Sequence, residues 1–363
     1  MMARGTLRAA KSRGSGSRTA GSAGARGRSA GWQGSPVVTA VVSVLVWGLA
    51  AGPVLWAVLR LSGTEDGYPL FPALAFTPYA AVAALVPLGV ALLARRRAAA
   101  MVTVLALIAL VAVLVPRVIP SRGPEIPPDG PRLRVLSLNL EYGEADPRQV
   151  VGLVKTHRAD VLSLQEADAA AVERLEGAGL REWLPHRVAL DGTAWAAGAL
   201  YARYPLKRLP EWDPSAEFRM PYARMDVPGA PPVEIMSVHP TPPSSETGVR
   251  WLREGLARMP SAERHKGSAG TATVRILAGD FNSTLDHAAF RQVVDRGYVD
   301  AAAQRGAGFA ATWPMEGASL PGVALDHVLA DARVRVEDFR VGKVGGTDHT
   351  PVYARLRLPA AGD

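Results

Sequence analysis

The chain contains no cysteine among its 363 residues. That excludes a disulfide framework, a thiolate metal site and a cysteine nucleophile. Acid is missing from residues 1–36, which hold Arg4, Arg8, Lys11, Arg13, Arg18, Arg26 and Arg28 among mostly Gly, Ser and Ala. Such a stretch has too little apolar surface to fold and is expected to be a disordered basic tail. No repeat of solenoid period runs through the sequence.

Charge is almost absent from the next region. Val37 to Leu61, Pro69 to Ala94 and Ala98 to Val115 are apolar, with Arg60 near an end the one charged residue inside them. Each is long enough as a helix to cross a hydrocarbon core of about 30 Å. Three transmembrane helices are therefore expected over residues 37–116, the second kinked by Pro72, Pro78 and Pro87. A cleaved signal peptide fits less well, because further apolar runs follow the first. The basic tail and Arg95-Arg96-Arg97 should be cytoplasmic and the loop with Glu65 and Asp66 external. Everything after Pro116 then lies outside. Residues 117–131 are rich in proline and read as a stiff spacer that lifts a following domain, 132–358, off the membrane; residues 359–363 form a short tail.

The net charge is +8, but it is unevenly placed. Up to residue 129 there are 13 basic and 4 acidic residues; from 130 onward there are 28 and 29. A duplex-binding domain more often carries a basic face, so nucleic acid is not the expected partner, although a local patch escapes such a sum.

From Arg132 onward, strands and helices intermix. Strands are predicted at 133–140, 161–164, 198–201, 233–238, 274–278, 323–329, 338–344 and 352–358, and helices at 146–157, 169–177, 246–259 and 288–296. This pattern gives an α/β domain, with a mixed sheet or a pair of sheets and helices outside.

Polar residues recur at the strand ends: Asn139 and Glu141, Glu166, His239, Asp280 and Asn282, Asp326, and Asp348 with His349. Taken singly, each also fits a solvated loop residue or a turn former. Taken together they form a metal-ligand and acid/base set. Asp280 and Asn282 are two residues apart and point the same way at a strand end, with Gly279 letting the backbone turn. Oxygen ligands without thiolate point to magnesium, manganese or calcium.

Leu138-Asn139-Leu140-Glu141, Gln165-Glu166, Ser237-Val238-His239, Gly279-Asp280-Phe281-Asn282, Leu325-Asp326-His327-Val328 and Thr347-Asp348-His349-Thr350-Pro351-Val352 resemble the ordered motifs of the endonuclease/exonuclease/phosphatase superfamily. The resemblance covers about residues 132–358. It implies a deoxyribonuclease-like four-layer sandwich, two packed mixed β-sheets flanked by helices, and hydrolysis of a phosphate ester or anhydride. The three apolar runs ahead of such a domain also resemble membrane phosphatases linked to teicoplanin resistance in actinobacteria. Many members carry serine before Arg-Tyr-Pro, where this chain has Ala202 before Arg203-Tyr204-Pro205. A phosphate-side hydroxyl is then missing or supplied elsewhere.

The resemblance also implies roles. Glu166 is the direct ligand of Mg2+ (or Mn2+), with Asn139 and Glu141 completing or orienting its shell and Asp348 acting through water. Asp280 and Asn282 position water and phosphate. Asp326 orients His349, and His239 contacts the phosphate or the leaving group. Which histidine is the base stays open. His327 should face away by strand alternation, and His157, His186, His265 and His287 are expected at the surface. Arg224 reads equally as a phosphate brace or a solvated strand residue, and Trp313 as a core aromatic.

The expected function is a membrane-tethered, extracytoplasmic, magnesium-dependent phosphohydrolase. Its substrate would be lipid-linked, such as a polyprenyl pyrophosphate or a phospholipid. The alternatives are an external nuclease and a non-catalytic sensor, the latter disfavoured by the intact ligand set. Monoester against diester or pyrophosphate, the number of ions and the oligomeric state stay open.

Overall fold

The computed structural model describes residues 35–190, 192–193, 195–210, 220–262, 273–315 and 320–361. The expected basic tail, up to residue 34, the last two residues and His265 lie outside them.

Strands follow from the period-2 and continuous apolar runs. They are β1 (Arg132–Asn139), β2 (Val161–Gln165), β3 (His186–Leu190), β4 (Gly198–Ala202), β5 (Leu206–Arg208), β6 (Tyr222–Met225), β7 (Val233–Val238), β8 (Val274–Asp280), β9 (Tyr298–Asp300), β10 (Asp326–Asp331), β11 (Arg335–Val341) and β12 (Val352–Arg357). One sheet has the order β11-β12-β1-β2-β4-β3 and the other β5-β6-β7-β8-β10-β9. β1 and β2 run parallel, as do β7 and β8, and the remaining pairs are antiparallel. Both sheets are therefore mixed.

The sheets face each other across a core that includes Val135, Val161, Ile235, Ile276, Val328 and Val352, all fully buried. Helices Pro147–His157 and Ala169–Gly177 cover the outer face of the first sheet, burying Val150, Val154 and Leu175 against Leu136 and Leu162. Helices Glu246–Arg258 and Ala288–Val294 cover the second, burying Leu252, Leu256 and Phe290 against Met236 and Leu277. Capping begins these helices where the pattern predicts: Asp146 accepts from Arg148 N and Gln149 N, and Ser245 from Gly248 N. The expected four-layer sandwich is what forms.

The strand ends differ in two places that matter. β8 runs on through Gly279 to Asp280, so Gly279 makes no turn. A Cβ there would lie 2.0 Å from Val238 O on the parallel neighbour β7, so the glycine is required by close strand approach. Asp326 begins a strand instead of ending one. β10 runs antiparallel to β8 and pairs Asp326 directly with Asp280.

Two described helices are long and apolar enough to cross a membrane, Pro36–Ser62 and Arg97–Arg117. The middle run does not form a continuous helix of that length: it divides into Leu70–Leu74, Thr77–Ala83 and Leu85–Leu93. Pro72, Pro78 and Pro87 lack the N–H that would carry the helical ladder through.

Residues 43–363 form one unit, and the 117–131 stretch is no free spacer within it. Arg117 is buried and bonded to Asp286, Ser121 N donates to Gln304 O, and Arg357 Nη1 donates to the carbonyls of Pro127 and Pro128. The segment lies along the sandwich and does not hold it away. Phe71, from the divided apolar run, is fully buried in the same cluster as Phe281 and Phe290. Burying a phenylalanine contributes about 2–3 kcal/mol.

Candidate active site

The functional side chains gather at one end of the sandwich because the parallel pairs β1/β2 and β7/β8 all finish there. Beneath them the sheets are tied by buried polar contacts. Gln165 Nε2 donates to Ser237 Oγ (2.9 Å), Ser237 Oγ to Leu164 O (3.0 Å) and Ser163 Oγ to Ala278 O (2.8 Å). Satisfied buried hydrogen bonds of this kind fix one register between the sheets.

Asn139 is the hub above them. Its Nδ2 donates to Glu166 Oε1 (3.1 Å) and Asp280 Oδ2 (3.2 Å), while its Oδ1 accepts from Glu141 N (3.0 Å). The amide therefore bridges two carboxylates, a placement that orients Glu166. Glu166 Oε2 also accepts from Tyr142 N (2.7 Å). Asp280 Oδ1 accepts from Asn282 N (2.7 Å), and Asn282 Nδ2 donates to Pro240 O (3.0 Å).

The two imidazoles flank these acids. His239 Nε2 lies 3.7 Å from Glu166 Oε1 and 3.8 Å from Asp280 Oδ2. His349 Nε2 lies 3.7 Å from Asp280 Oδ2, and its Nδ1 lies 2.8 Å from Asp326 Oδ2. Asp326 thus stands where a tautomer-fixing partner was expected. Its backbone N–H donates to Thr312 Oγ1 (3.0 Å). Thr347 Oγ1 accepts from His349 N (3.1 Å) and donates to Asn139 O (2.9 Å), which ties the last motif to the first.

Electrostatics separate the two histidines. Burial pushes His239 down to about 4, so it is neutral at pH 7. Burial also opposes charge on His349, but Asp326 and then Asp280 outweigh it and raise the group to about 10, a cation. Burial raises Glu166 and Asp280 above the ordinary carboxylate range.

Glu141, Asn282 and Asp348 line the same cleft. Asp348 sits at its rim, 41% exposed, accepting from Trp313 Nε1 at 2.7 Å. Trp313 is thus a half-buried cleft wall, not a core aromatic. His287 is 1% exposed, not at the surface. His327 turns away as expected, its Nδ1 2.8 Å from Asp300 Oδ2. Arg224 is exposed beside Asp226, away from the cleft. Ala202 pairs with Val161 at the opposite end of β2 and packs in the inter-sheet core, so a missing hydroxyl there costs the cleft nothing.

Glu141, Tyr142, Glu166 and Asn282 have φ of 45°, 54°, 54° and 50°. Left-handed backbone at non-glycine residues costs about 1 kcal/mol or more each and concentrates at functional sites. Sequence alone missed Tyr142, and it also missed Tyr68, Phe76 and Trp195, which line the cleft. No local motif marks them.

The donor set fits a hard divalent cation. Asp280 is buried and Glu166 half-buried, and a cation would offset their surplus negative charge. Among the described residues no group of three or more His, Asp or Glu side chains is placed to hold an ion.

A search of curated proteins finds no match. Solved structures similar to this chain include an endonuclease/exonuclease/phosphatase from Beutenbergia cavernae DSM 12333, at 19% identity, covering 64% of this chain and 72% of that one, TM-score 0.46. An AP endonuclease from Archaeoglobus fulgidus matches at 16% identity, 61% and 98% coverage, TM-score 0.47. A family protein from Bacteroides thetaiotaomicron matches at 14% identity, 63% and 99% coverage, TM-score 0.44. The model of the Endonuclease/Exonuclease/phosphatase family matches residues 136–349, which run from within β1 to His349. Its members are generally hydrolases of phosphodiester bonds and typically depend on a divalent metal. Together with the sandwich and the carboxylate–histidine cluster at its end, that match means that the chain belongs to the endonuclease/exonuclease/phosphatase family.

Proposed function

We propose that this protein is a membrane-anchored, extracytoplasmic phosphohydrolase that takes a lipid-linked phosphate ester or anhydride. The carrying observation is the make-up of the cleft, about 650 Å³ in volume. Its floor is the acid and histidine cluster. One wall is Pro72, Ala75 and Phe76, from the apolar run between the two long helices, with Tyr68 just before it. A polar floor beneath an apolar wall suits a phosphate with a hydrocarbon tail.

Glu166 would hold magnesium, with Glu141 and Asp348 acting through water. Once bound, the ion supplies charge neutralisation at the phosphoryl oxygens. Asp280 Oδ2, within reach of Asn139 and both histidines, orients water and takes its proton. The His349 cation, braced by Asp326, stabilises charge building on the phosphoryl group. Neutral His239 contacts the phosphate, and the second N–H of Asn282 Nδ2 is available to a phosphate oxygen. The low acid content of the amino-terminal region and the Arg95–Arg97 cluster support an inside amino end and an outside sandwich.

The test is phosphate release by the full chain in detergent or lipid discs, with and without magnesium. Polyprenyl pyrophosphate, phospholipids and duplex DNA are the substrates. Magnesium-dependent turnover of a lipid phosphate is expected. Brisk cleavage of DNA with none of the lipid phosphates would instead establish a nuclease.

A further inference from the structure

Taking the cleft as a phosphohydrolase site, we propose that the helical segment is a positioning part of it. Arg60 and Arg117 close on Asp286 and so fix the loop that carries Asn282.

Arg60 lies near the carboxyl end of one long helix and Arg117 at the end of the other. Both are buried, as is Asp286, which is 1% exposed. Arg60 Nε donates to Asp286 Oδ1 (2.9 Å); Arg117 donates through Nη1 to Oδ2 (2.7 Å) and through Nη2 to Oδ1 (2.6 Å). Arg60 Nη2 also holds Leu285 O (3.1 Å). From the sandwich side, Arg291 Nη1 donates to the carbonyls of Leu285 (3.2 Å) and Asp286 (2.7 Å). The loop is thus gripped at a side chain and two carbonyls, a few residues beyond Asn282.

Two further straps join the same loop. Glu65 accepts from the backbone N–H of Ala288 and, at 2.7 Å, of Ala289. His287 is stacked on Phe71, ring centroids 4.1 Å apart, and its Nε2 lies 2.8 Å from Phe71 O. The upper half of the clamp, Arg60, Glu65, Phe71 and Arg117, comes from the apolar runs and the residues that flank them, and the lower half from the stretch 285–291.

Plain anchoring does not call for this chemistry. A buried ion cluster adds little stability over apolar packing, because desolvation offsets the attraction, but it does specify one geometry. Asn282 sits in left-handed backbone at φ 50°, held by its own N–H on Asp280 Oδ1 (2.7 Å) and by its Nδ2 on Pro240 O (3.0 Å). The clamp fixes the chain that follows it, at Leu285 and Asp286. Misplacing a positioning group by about 1 Å can cost on the order of 100-fold in rate.

The test uses the full chain in lipid discs, with Arg60→Gln and Arg60→Lys, and Glu65→Ala as an independent strap variant. Turnover of bis(p-nitrophenyl) phosphate and of a lipid phosphate is read as kcat and KM. Amide hydrogen exchange over residues 282–289 is read on the same samples without substrate. The expected result for Arg60→Gln is faster exchange in that loop, kcat down about 10- to 100-fold on both substrates, and KM little changed. Arg60→Lys, which keeps the charge, should recover part of kcat, and Glu65→Ala should show the same pattern more weakly. Unchanged exchange in both Arg60→Gln and Glu65→Ala overturns the clamp. Faster exchange with unchanged kcat overturns its positioning role. A wild-type protein that turns over no phosphate ester overturns the functional reading alone, and the exchange result still decides the clamp.

Discussion

His349 Nδ1 lies 2.8 Å from Asp326 Oδ2, and each side chain is buried. The pair comes from the loop before β12 and the first residue of β10. With Asp280 3.7 Å from the other ring nitrogen, the imidazole is held as a cation between two acids. Asp326 Oδ1 has no hydrogen-bond partner among the described residues, so the carboxylate serves this histidine through one oxygen.

Replacing Asp326 with Asn keeps the shape and removes the charge. The backbone N–H of residue 326 still reaches Thr312 Oγ1. The expected outcome is a kcat lower by about 100-fold or more, with a lower melting temperature because a buried ion pair loses one partner. Steady-state phosphate release and a thermal melt on one preparation check it.

Glu166→Gln tests the ion. The carboxylate accepts from Asn139 and Tyr142 and stands closest to His239 and Asp280. A carboxamide keeps the hydrogen bonding in part but loses the charge. The magnesium concentration for half-maximal rate should rise by about tenfold or more. Chelation should silence the wild type, and added magnesium or manganese should restore it. A magnesium titration that overlays the wild type would remove Glu166 from the ion's shell.

Gly279→Ala tests the packing beneath the site. The added methyl meets Val238 O at 2.0 Å, and backbone cannot yield as a flexible side chain does. Overpacking costs about 1–3 kcal/mol, and this contact belongs at or beyond the upper end. A lower melting temperature and poor yield are expected. Wild-type stability would mean that β7 and β8 are further apart than described.

Acid should loosen the helical segment through His287. Thr284 N donates to its Nδ1 at 2.9 Å, and its Nε2 faces Phe71 O at 2.8 Å. The neutral tautomer with the proton on Nε2 satisfies both. Burial depresses the group to about 4 from 6.5, and its charged neighbours Asp286 and Arg291 oppose each other. The unfolded chain then binds a proton that the folded chain refuses. Stability is fully present above pH 6.5 and falls as pH drops toward 4, by at most about 1.4 kcal/mol per pH unit. Thermal melts at pH 7, 5.5 and 4.5 should show this slope together with the like contribution of His239, and His287→Gln should reduce it by about half.

The sequence carried the fold well where pattern is local. Continuous apolar runs marked β1, β2, β7 and β8, and the helices were read at 146–157, 169–177, 246–259 and 288–296 within a few residues of where they form. β3, β5, β6 and β9 went unread because they are short and pair at or near sheet edges, where tertiary contacts decide pairing. At the cleft, every expected residue lies in or lines one space, since each stands beside a strand end. The roles of individual atoms were not legible. Asn139 shows why: whether its oxygen or its nitrogen faces the acids depends on the N–H of Glu141, set by a left-handed turn.

By itself the sequence determined the chemistry on offer: no thiol, an oxygen-rich acid and amide set, two histidines, and apolar runs ahead of the sandwich. Those follow from composition and from periods of two and 3.6 residues. The tertiary structure alone decided that Gly279 answers to a neighbouring strand, that Trp313 and Phe76 wall the cleft, and that Arg60, Arg117 and His287 bind the apolar region to the loop after Asn282. Each is a contact between residues far apart in the chain. No local period encodes such a contact, because it depends on how two sheets and the helices around them settle against one another.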